Sequence, residues 1–247
     1  MTTPRQSGRP HAIILAAGLG SRLRPLTDHT PKPLVEVGGR PIITYGIELL
    51  RQAGIENIVI NVHHLAERVR DSLGDGSRHG VHIHYSVEEE LLDSGGGIRQ
   101  AANLLEPPVE GPIVVLNADV VSWVPLKQVL AYHREKSADL TLVLRDDARK
   151  HEYGVFGLCE DGRIGRFLGR GEPTKLPEFM FASVQVLSPG LLERMPPGAF
   201  SSMRSLYPAL FDEGLRFYGW VYEGPWYTAD TAEDVAATDA ALRDRAR

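Results

Sequence analysis

Apolar residues in the first 145 positions follow two alternating rhythms. Ala12–Leu15 (AIIL), Ile55–Val62 (IENIVINV) and Ile113–Leu116 are nearly continuous apolar runs, as strands buried on both faces read. Val81–Val87 (VHIHYSV) alternates with period two, and Leu140–Leu144 is a further strand. Between these runs the spacing turns helical: a helix that Pro41 begins and Gly54 ends, Leu65–Leu73 stopped by Gly74-Asp75-Gly76, Ile98–Leu105 after three glycines, and Pro125–Lys136. Repeated βα units with short links predict a three-layer α/β fold with a doubly wound, mainly parallel sheet.

Beyond Asp146 the pattern shortens. Strand candidates Tyr153–Leu158, Arg163–Leu168 and Phe179–Leu187 are separated by Gly- and Pro-rich turns. A helix is expected over Met203–Glu213, stopped by Gly214, then a strand over Leu215–Tyr222. Thr231–Arg245 reads as an amphipathic helix with Ala236, Ala237, Ala240 and Leu242 available for packing. There is no internal repeat and no low-complexity linker. The expected organisation is a disordered lead over residues 1–10 and a single domain over 11–247, with one half at 11–145 and a smaller closing lobe at 146–247.

Composition narrows the class without naming a function. With 247 residues, 43% apolar and 24% charged, the chain can bury a full core. A net charge of −5 and no run of like charge give no reason to expect nucleic acid as a partner. No apolar run approaches the ~18–20 residues of a membrane span, and MTTPRQSGRP lacks the hydrophobic segment of a secretory signal. The single cysteine, Cys159, fits a reducing compartment and reads as packing, so a cytoplasmic location is expected.

The segment Ile13–Leu34, IILAAGLGSRLRPLTDHTPKPL, carries the most chemistry. A strand that breaks at Gly18 and Gly20 leaves backbone N–H groups to face an anion, and Arg22, Arg24 and Lys32 follow on a loop stiffened by Pro25, Pro31 and Pro33. It is not a P-loop, because Gly-Lys does not follow at the required spacing. Nor is it a dinucleotide fingerprint, because Leu23 stands where the third glycine belongs and the second strand runs into Asn61-Val62-His63-His64 without an acidic residue. The bland alternative is a glycine turn with surface arginines.

The extended pattern G-x-G-S-R-L-x-P-L-T followed by P-K-P-L closely resembles the signature of the sugar-1-phosphate nucleotidyltransferases. It is most like the short mannose- or heptose-1-phosphate guanylyltransferases and N-acetylmuramate-1-phosphate uridylyltransferases. The resemblance implies transfer of a nucleotidyl group from a nucleoside triphosphate to a sugar 1-phosphate, with Mg²⁺ as cofactor. It makes 11–145 the nucleotide-binding half and 146–247 the sugar-binding lobe. Leu15, Ala16, Ala17, Gly18, Gly20, Ser21 and Arg22 would line the nucleotide, with Arg22 on the β- and γ-phosphates and Lys32 on the α-phosphate. Asp119 in Leu116-Asn117-Ala118-Asp119 matches the family's metal aspartate at a strand end; otherwise it would be a helix cap, a role Ser122 fits better. Glu88 with Gly95 and Gly96 would lie against the base, and a carboxylate at Glu88 leans towards guanine over uracil. Tyr153 and Gly154 resemble the floor of the sugar pocket, although a Tyr-Gly bend explains them equally well, and Arg170 aligns with the cation of the family's E-K-P segment.

Three positions depart from that pattern. Where relatives carry a second metal carboxylate in W-x-D, this chain has Trp226-Tyr227-Thr228, and Asp230 lies two residues on, a spacing that preserves the side in an extended strand. Gly169-Arg170-Gly171 keeps only the cation of E-K-P, and Ser183-Val184 replaces a G-I pair. These departures open a second reading, a nucleotide-sugar-binding regulatory paralogue with little or no turnover. His63, His64, His79, His82 and His84 are expected to be polar strand-face or strand-end residues, since no cysteine pair completes a zinc site.

Overall fold

The computed structural model describes residues 8–171 and 175–245. Of the lead predicted over residues 1–10, residues 1–7 lie outside the described residues. Gly8 is placed, and its carbonyl accepts from the Arg134 guanidinium at 3.2 Å.

The first half is built as its apolar rhythm demands. Strand β1 (His11–Leu15) leads into the loop, then the short pair β2 (Glu36–Val37) and β3 (Arg40–Pro41), helix α1 (Ile43–Gln52), β4 (Asn57–Val62), α2 (Ala66–Leu73), β5 (His82–Val87) and α3 (Asp93–Ala102). β6 (Ile113–Asn117), β7 (Val120–Ser122), α4 (Leu126–Glu135) and β8 (Leu140–Arg145) follow. The second half comprises α5 (Lys150–Tyr153), β9 (Phe156–Leu158), β10 (Ile164–Phe167), β11 (Arg170–Gly171), β12 (Glu178–Leu187), α6 (Pro189–Glu193), α7 (Tyr207–Asp212), β13 (Phe217–Val221), β14 (Trp226–Thr228) and α8 (Ala232–Arg245).

Among the described residues ten strands form one sheet, with the order β11-β10-β9-β12-β6-β1-β4-β5 and with β8 and β13 joined beside β12. β6, β1, β4 and β5 are mutually parallel. Their side chains alternate between two cores: Ala12, Ile14, Val114 and Leu116 pack under α1, α2 and α4, while Ile13, Ile113 and Val115 face α3, α6 and α7. Both faces are covered, so strands with no polar alternation are the stable choice.

The second half does not stand apart as a lobe. β12 returns antiparallel between β6 and β8, and only its first residues pair with β9, from which β10 and β11 extend. Its register slips between Phe181 and Gln185, where Ser183 takes a φ of +64°, a backbone state that favours glycine. Tyr153, expected to open a strand, instead closes the single turn α5, and the strand starts at Phe156. α8 packs through Val235, Thr238 and Leu242 while Ala236, Ala237 and Ala240 are exposed, so the face used is one step round from the alanine face read from the sequence. No helix of the described residues is long and apolar enough to cross a membrane.

Candidate active site

The cavity lies where a parallel sheet offers one, beyond the carboxyl ends of β1, β4 and β6. Register sets Leu15 level with Asn61 on one side and Asn117 on the other, and all three line a cavity of about 600 Å³. Its roof is the loop after β1. Ala16, Ala17, Gly18, Gly20, Ser21 and Arg22, read from the sequence as lining a nucleotide, all reach the cavity.

Each glycine of that loop has a separate cause. Gly20 holds a φ of +65°, and a Cβ there would come within 2.8 Å of Thr27 Cγ2 and 3.2 Å of Lys32 Cβ. The loop can therefore fold back on Lys32 only with glycine at that position, and Thr27 Oγ1 locks the fold by donating to the Gly20 carbonyl at 2.8 Å. Gly18 is different. A Cβ there would meet nothing within 4 Å, so no protein neighbour requires the missing side chain. Among the described residues no acceptor takes the amides of Ala17 to Arg22, Gly18 and Leu19 among them, which leaves a run of donors at the cavity.

Four charged side chains converge at the cavity, Arg22 and Lys32 from the loop itself and Asp119 and Asp230 from opposite it. Lys32 Nζ donates to Asp119 Oδ2 at 2.5 Å and to Asp230 Oδ1 at 2.6 Å. Arg22 lies 3.0 Å from the same Asp230 oxygen, and Tyr153 donates its hydroxyl to Asp230 Oδ2 at 3.3 Å. Burial opposes the charge on Lys32, but the attraction and hydrogen bonds of Asp119 and Asp230 outweigh it and hold its pKa above the ordinary lysine value. Burial likewise pushes the Asp230 carboxyl up, and Lys32 and Arg22 overcome it and bring the value below the usual carboxylate range. Both groups are thus ionised in the folded chain at neutral pH.

The chain places Asp230 there through a small ribbon. β14 pairs antiparallel with β7, setting Thr228 opposite Val120, and the Ala229 amide donates to the Asp119 carbonyl at 3.1 Å. A reciprocal cap then fixes the start of α8: Thr231 N donates to Asp234 Oδ2 at 3.1 Å and Asp234 N to Thr231 Oγ1 at 3.2 Å. Thr228 is buried and does not line the cavity. Asp119 caps nothing, because β7 separates it from α4; Ser122 sits within that strand.

Several expected positions serve other ends. Gly95, Gly96 and Gly97 lie inside α3 rather than before it, and none lines the cavity. A Cβ on Gly95 would strike the Phe200 ring at 2.1 Å, one on Gly96 the Gly198 carbonyl oxygen at 2.4 Å, and one on Gly97 the Asn61 amide at 2.6 Å. The amides of Gly95 and Gly96 donate to the Phe200 carbonyl, so they do not face a base. Arg170 is exposed, pairs with Asp212 and does not line the cavity. Gly154 has a φ of +105° and leaves room for Leu168 Cδ2, which explains it as a turn. Arg24 pairs with Asp28 at 3.3 Å, also outside the cavity.

Glu88 does face the cavity, but within a network that the motif did not reveal. It is 3% exposed; Oε1 accepts from Asn61 Nδ2 at 2.6 Å and Oε2 from the Leu92 amide at 3.0 Å. Asn61 Oδ1 in turn accepts from the Ala16 amide at 2.6 Å, tying the roof loop to the wall. A polar residue near the end of an apolar strand next to β1 was the available signal for Asn61. His63 contacts the Glu88 carbonyl at 2.8 Å and His64 the Thr27 carbonyl at 3.0 Å, while His82 and His84 are exposed on β5. Among the described residues no group of three or more His, Cys, Asp or Glu could hold a metal ion without help.

A family model described as nucleotidyl transferase matches residues 11–196. The chain is 33% identical over 233 residues to a mannose-1-phosphate guanylyltransferase of Mycobacterium tuberculosis, covering 94% of this chain and 64% of that protein. It is 32% identical over 228 residues to a UTP–glucose-1-phosphate uridylyltransferase of Synechocystis, covering 87% and 58%. The chain therefore spans about three fifths of the length of these relatives. The crystal structure of HddC from Yersinia pseudotuberculosis superposes with a TM-score of 0.78 at 22% identity, over 94% of this chain and 99% of that one, and so shares the fold.

Proposed function

We propose that this chain, which belongs to the nucleotidyl transferase family, joins a nucleoside triphosphate to a sugar 1-phosphate, giving an NDP-sugar and pyrophosphate. The observation that carries this reading is the convergence of Lys32, Asp119, Asp230 and Arg22 on one cavity under a glycine loop with unpartnered amides.

The reaction is an in-line displacement: a phosphate oxygen of the sugar 1-phosphate bonds to the α-phosphorus, and the bond to the bridging oxygen of pyrophosphate breaks. Little covalent help is needed. The protein has to hold two polyanions together and neutralise the charge that moves onto the leaving group. The amides of Gly18 and Leu19 donate to phosphate oxygens. Arg22, with its side chain 63% exposed, is free to swing onto the β- and γ-phosphates as a planar fork. Lys32, a point charge fixed beside Gly20, meets the α-phosphate. Asp119 and Asp230 are hard oxygen donors with one oxygen of each within 2.6 Å of a common point, the Lys32 nitrogen, a donor set that suits Mg²⁺ sharing its remaining places with phosphate. When bound there, the divalent ion supplies Lewis-acid charge to the phosphates.

GTP is favoured over UTP. Each Glu88 oxygen uses one lone pair within the protein and keeps another, enough to accept from guanine N1–H and N2–H. The mannose-1-phosphate guanylyltransferases among the relatives agree with that choice, and the uridylyltransferase marks its competitor. Asp230 beside Asp119 offers a second carboxylate where Thr228 lacks one, which supports turnover over a regulator without it.

The test is pyrophosphate release over a grid of four nucleoside triphosphates and a panel of sugar 1-phosphates, with Mg²⁺. Turnover with GTP and at least one sugar 1-phosphate is expected. Tight NDP-sugar binding with no turnover in any cell of the grid would replace the catalytic reading with the regulatory one.

A further inference from the structure

At one end of the cavity Lys32 and Arg22 are set against Asp119 and Asp230, while Glu88 and Asp93 line it elsewhere. The manner in which Lys32 meets the Asp119–Asp230 pair is specific. One ammonium, on a side chain 14% exposed, lies between one oxygen of each carboxylate at 2.5 and 2.6 Å. That is the place a divalent cation would take. The base of Lys32 is fixed, because its backbone starts a helical turn between Pro31 and Pro33 and its Cβ lies near Gly20, while its ammonium is held by the two carboxylates. No third protein carboxylate or imidazole joins the pair among the described residues, so the protein alone offers a divalent ion two ligands, both engaged.

We propose that Lys32 is a tethered counter-cation that keeps the Asp119–Asp230 pair closed to divalent ions until a bound polyphosphate draws it away. This rests on the nucleotidyl-transfer reading and adds an order of loading to it: metal and nucleotide enter together, and metal does not enter first. The physical reason is exchange of partners. In the free protein a divalent ion must displace the ammonium from both carboxylates and then sit beside it, with like charges a few ångströms apart. A triphosphate changes both sides of that exchange. Its oxygens give Lys32 and Arg22 new partners, and they complete an oxygen shell that two carboxylates cannot fill. The exposed Arg22, paired with the same Asp230 oxygen as Lys32, is the contact most readily released.

The probe is Mn²⁺ alone, titrated into nucleotide-free protein and read as loss of the free-ion electron paramagnetic resonance signal. Wild type is expected to show no stoichiometric site. Lys32→Met and Lys32→Gln should each gain one Mn²⁺ per chain, bound about tenfold or more tightly than by wild type. Lys32→Arg, which keeps the charge, should resemble wild type. Adding Asp230→Asn to Lys32→Met should abolish the gain. Equal affinity in wild type and the neutral variants, or a gain that survives Asp230→Asn, overturns the proposal. A tight one-to-one Mn²⁺ site in wild type overturns it without any variant. None of these readings depends on turnover, so a failed pyrophosphate assay is a separate result.

Discussion

Lys32 and Asp230 lie 198 positions apart in the chain, and the ammonium of one donates to the carboxylate of the other at 2.6 Å. The contact closes the cavity across the two halves. Lys32 comes from the loop after β1, and Asp230 arrives through the β7–β14 ribbon, held by the Thr231–Asp234 cap of α8. Asp119 accepts from the same ammonium through its carboxylate and from the Ala229 amide of the second half through its carbonyl.

Asp230→Ala should lower Mg²⁺-dependent turnover by roughly 10²–10³-fold, the scale seen when one preorganised charge-stabilising group is lost. Because Lys32 keeps Asp119 as a partner, the variant should still fold. Steady-state kinetics with circular dichroism check both halves of this expectation. An unchanged rate would show that Asp119 and substrate oxygens suffice.

Gly18 and Gly20 should separate binding from folding. Gly20→Ala places a side chain at a φ of +65° and against Thr27 and Lys32, so stability should fall by about 1–2 kcal/mol. Gly18→Ala meets open space in the protein, so stability should stay within about 0.5 kcal/mol while KM for the nucleotide rises. Urea unfolding and initial rates on the two variants measure the split.

Arg170→Ala should leave KM for the sugar 1-phosphate unchanged. The side chain is exposed, pairs with Asp212 and does not line the cavity, so its loss should cost no more than about 1 kcal/mol. A rise of KM for the sugar phosphate alone would return Arg170 to the site.

His133 makes stability depend on pH. It is fully buried between α4 and β8, with Nδ1 against Thr141 Oγ1 at 2.8 Å and no partner for Nε2 among the described residues. Burial first, then the nearby Arg134, depress its pKa to about 3; Asp139 pulls the other way, and Arg216 adds a smaller push downward. The unfolded chain, with a value near the ordinary 6.5, binds a proton that the folded chain refuses. The stabilisation is therefore complete above pH 6.5 and lost as pH falls from 6.5 towards 3. Between pH 7.5 and 5 the wild type should lose about 2 kcal/mol on this account. Urea midpoints of His133→Leu at the two pH values should show a shallower slope.

Much of this was legible in the sequence, for local reasons. Strands buried on both faces, such as Ile113–Asn117, announce themselves as apolar runs. Gly18, Arg22 and Lys32 line one cavity, because a loop between a strand end and a proline pair is specified by its own residues, and Asp119 joins them from just past the end of β6. What the sequence did not carry is tertiary. Gly95, Gly96 and Gly97 read as an opening for a ligand, yet Phe200, Gly198 and Asn61 fill that space from elsewhere in the chain. β12 runs through the middle of the sheet, so the change of pattern after Asp146 marks no physical boundary. Asn61 has no motif of its own; only the pairing of β4 with β1 brings it to Ala16 and Glu88.

The most direct measurement follows the label of GTP carrying isotope at the α-phosphorus in one sample and at the γ-phosphorus in another, with Mg²⁺ and the sugar-1-phosphate panel. Nucleotidyl transfer puts α-label in an NDP-sugar and γ-label in pyrophosphate, with both transfers lost in Asp119→Asn. Release of γ-label as orthophosphate, or no movement of α-label with any sugar 1-phosphate or with UTP in place of GTP, would contradict it.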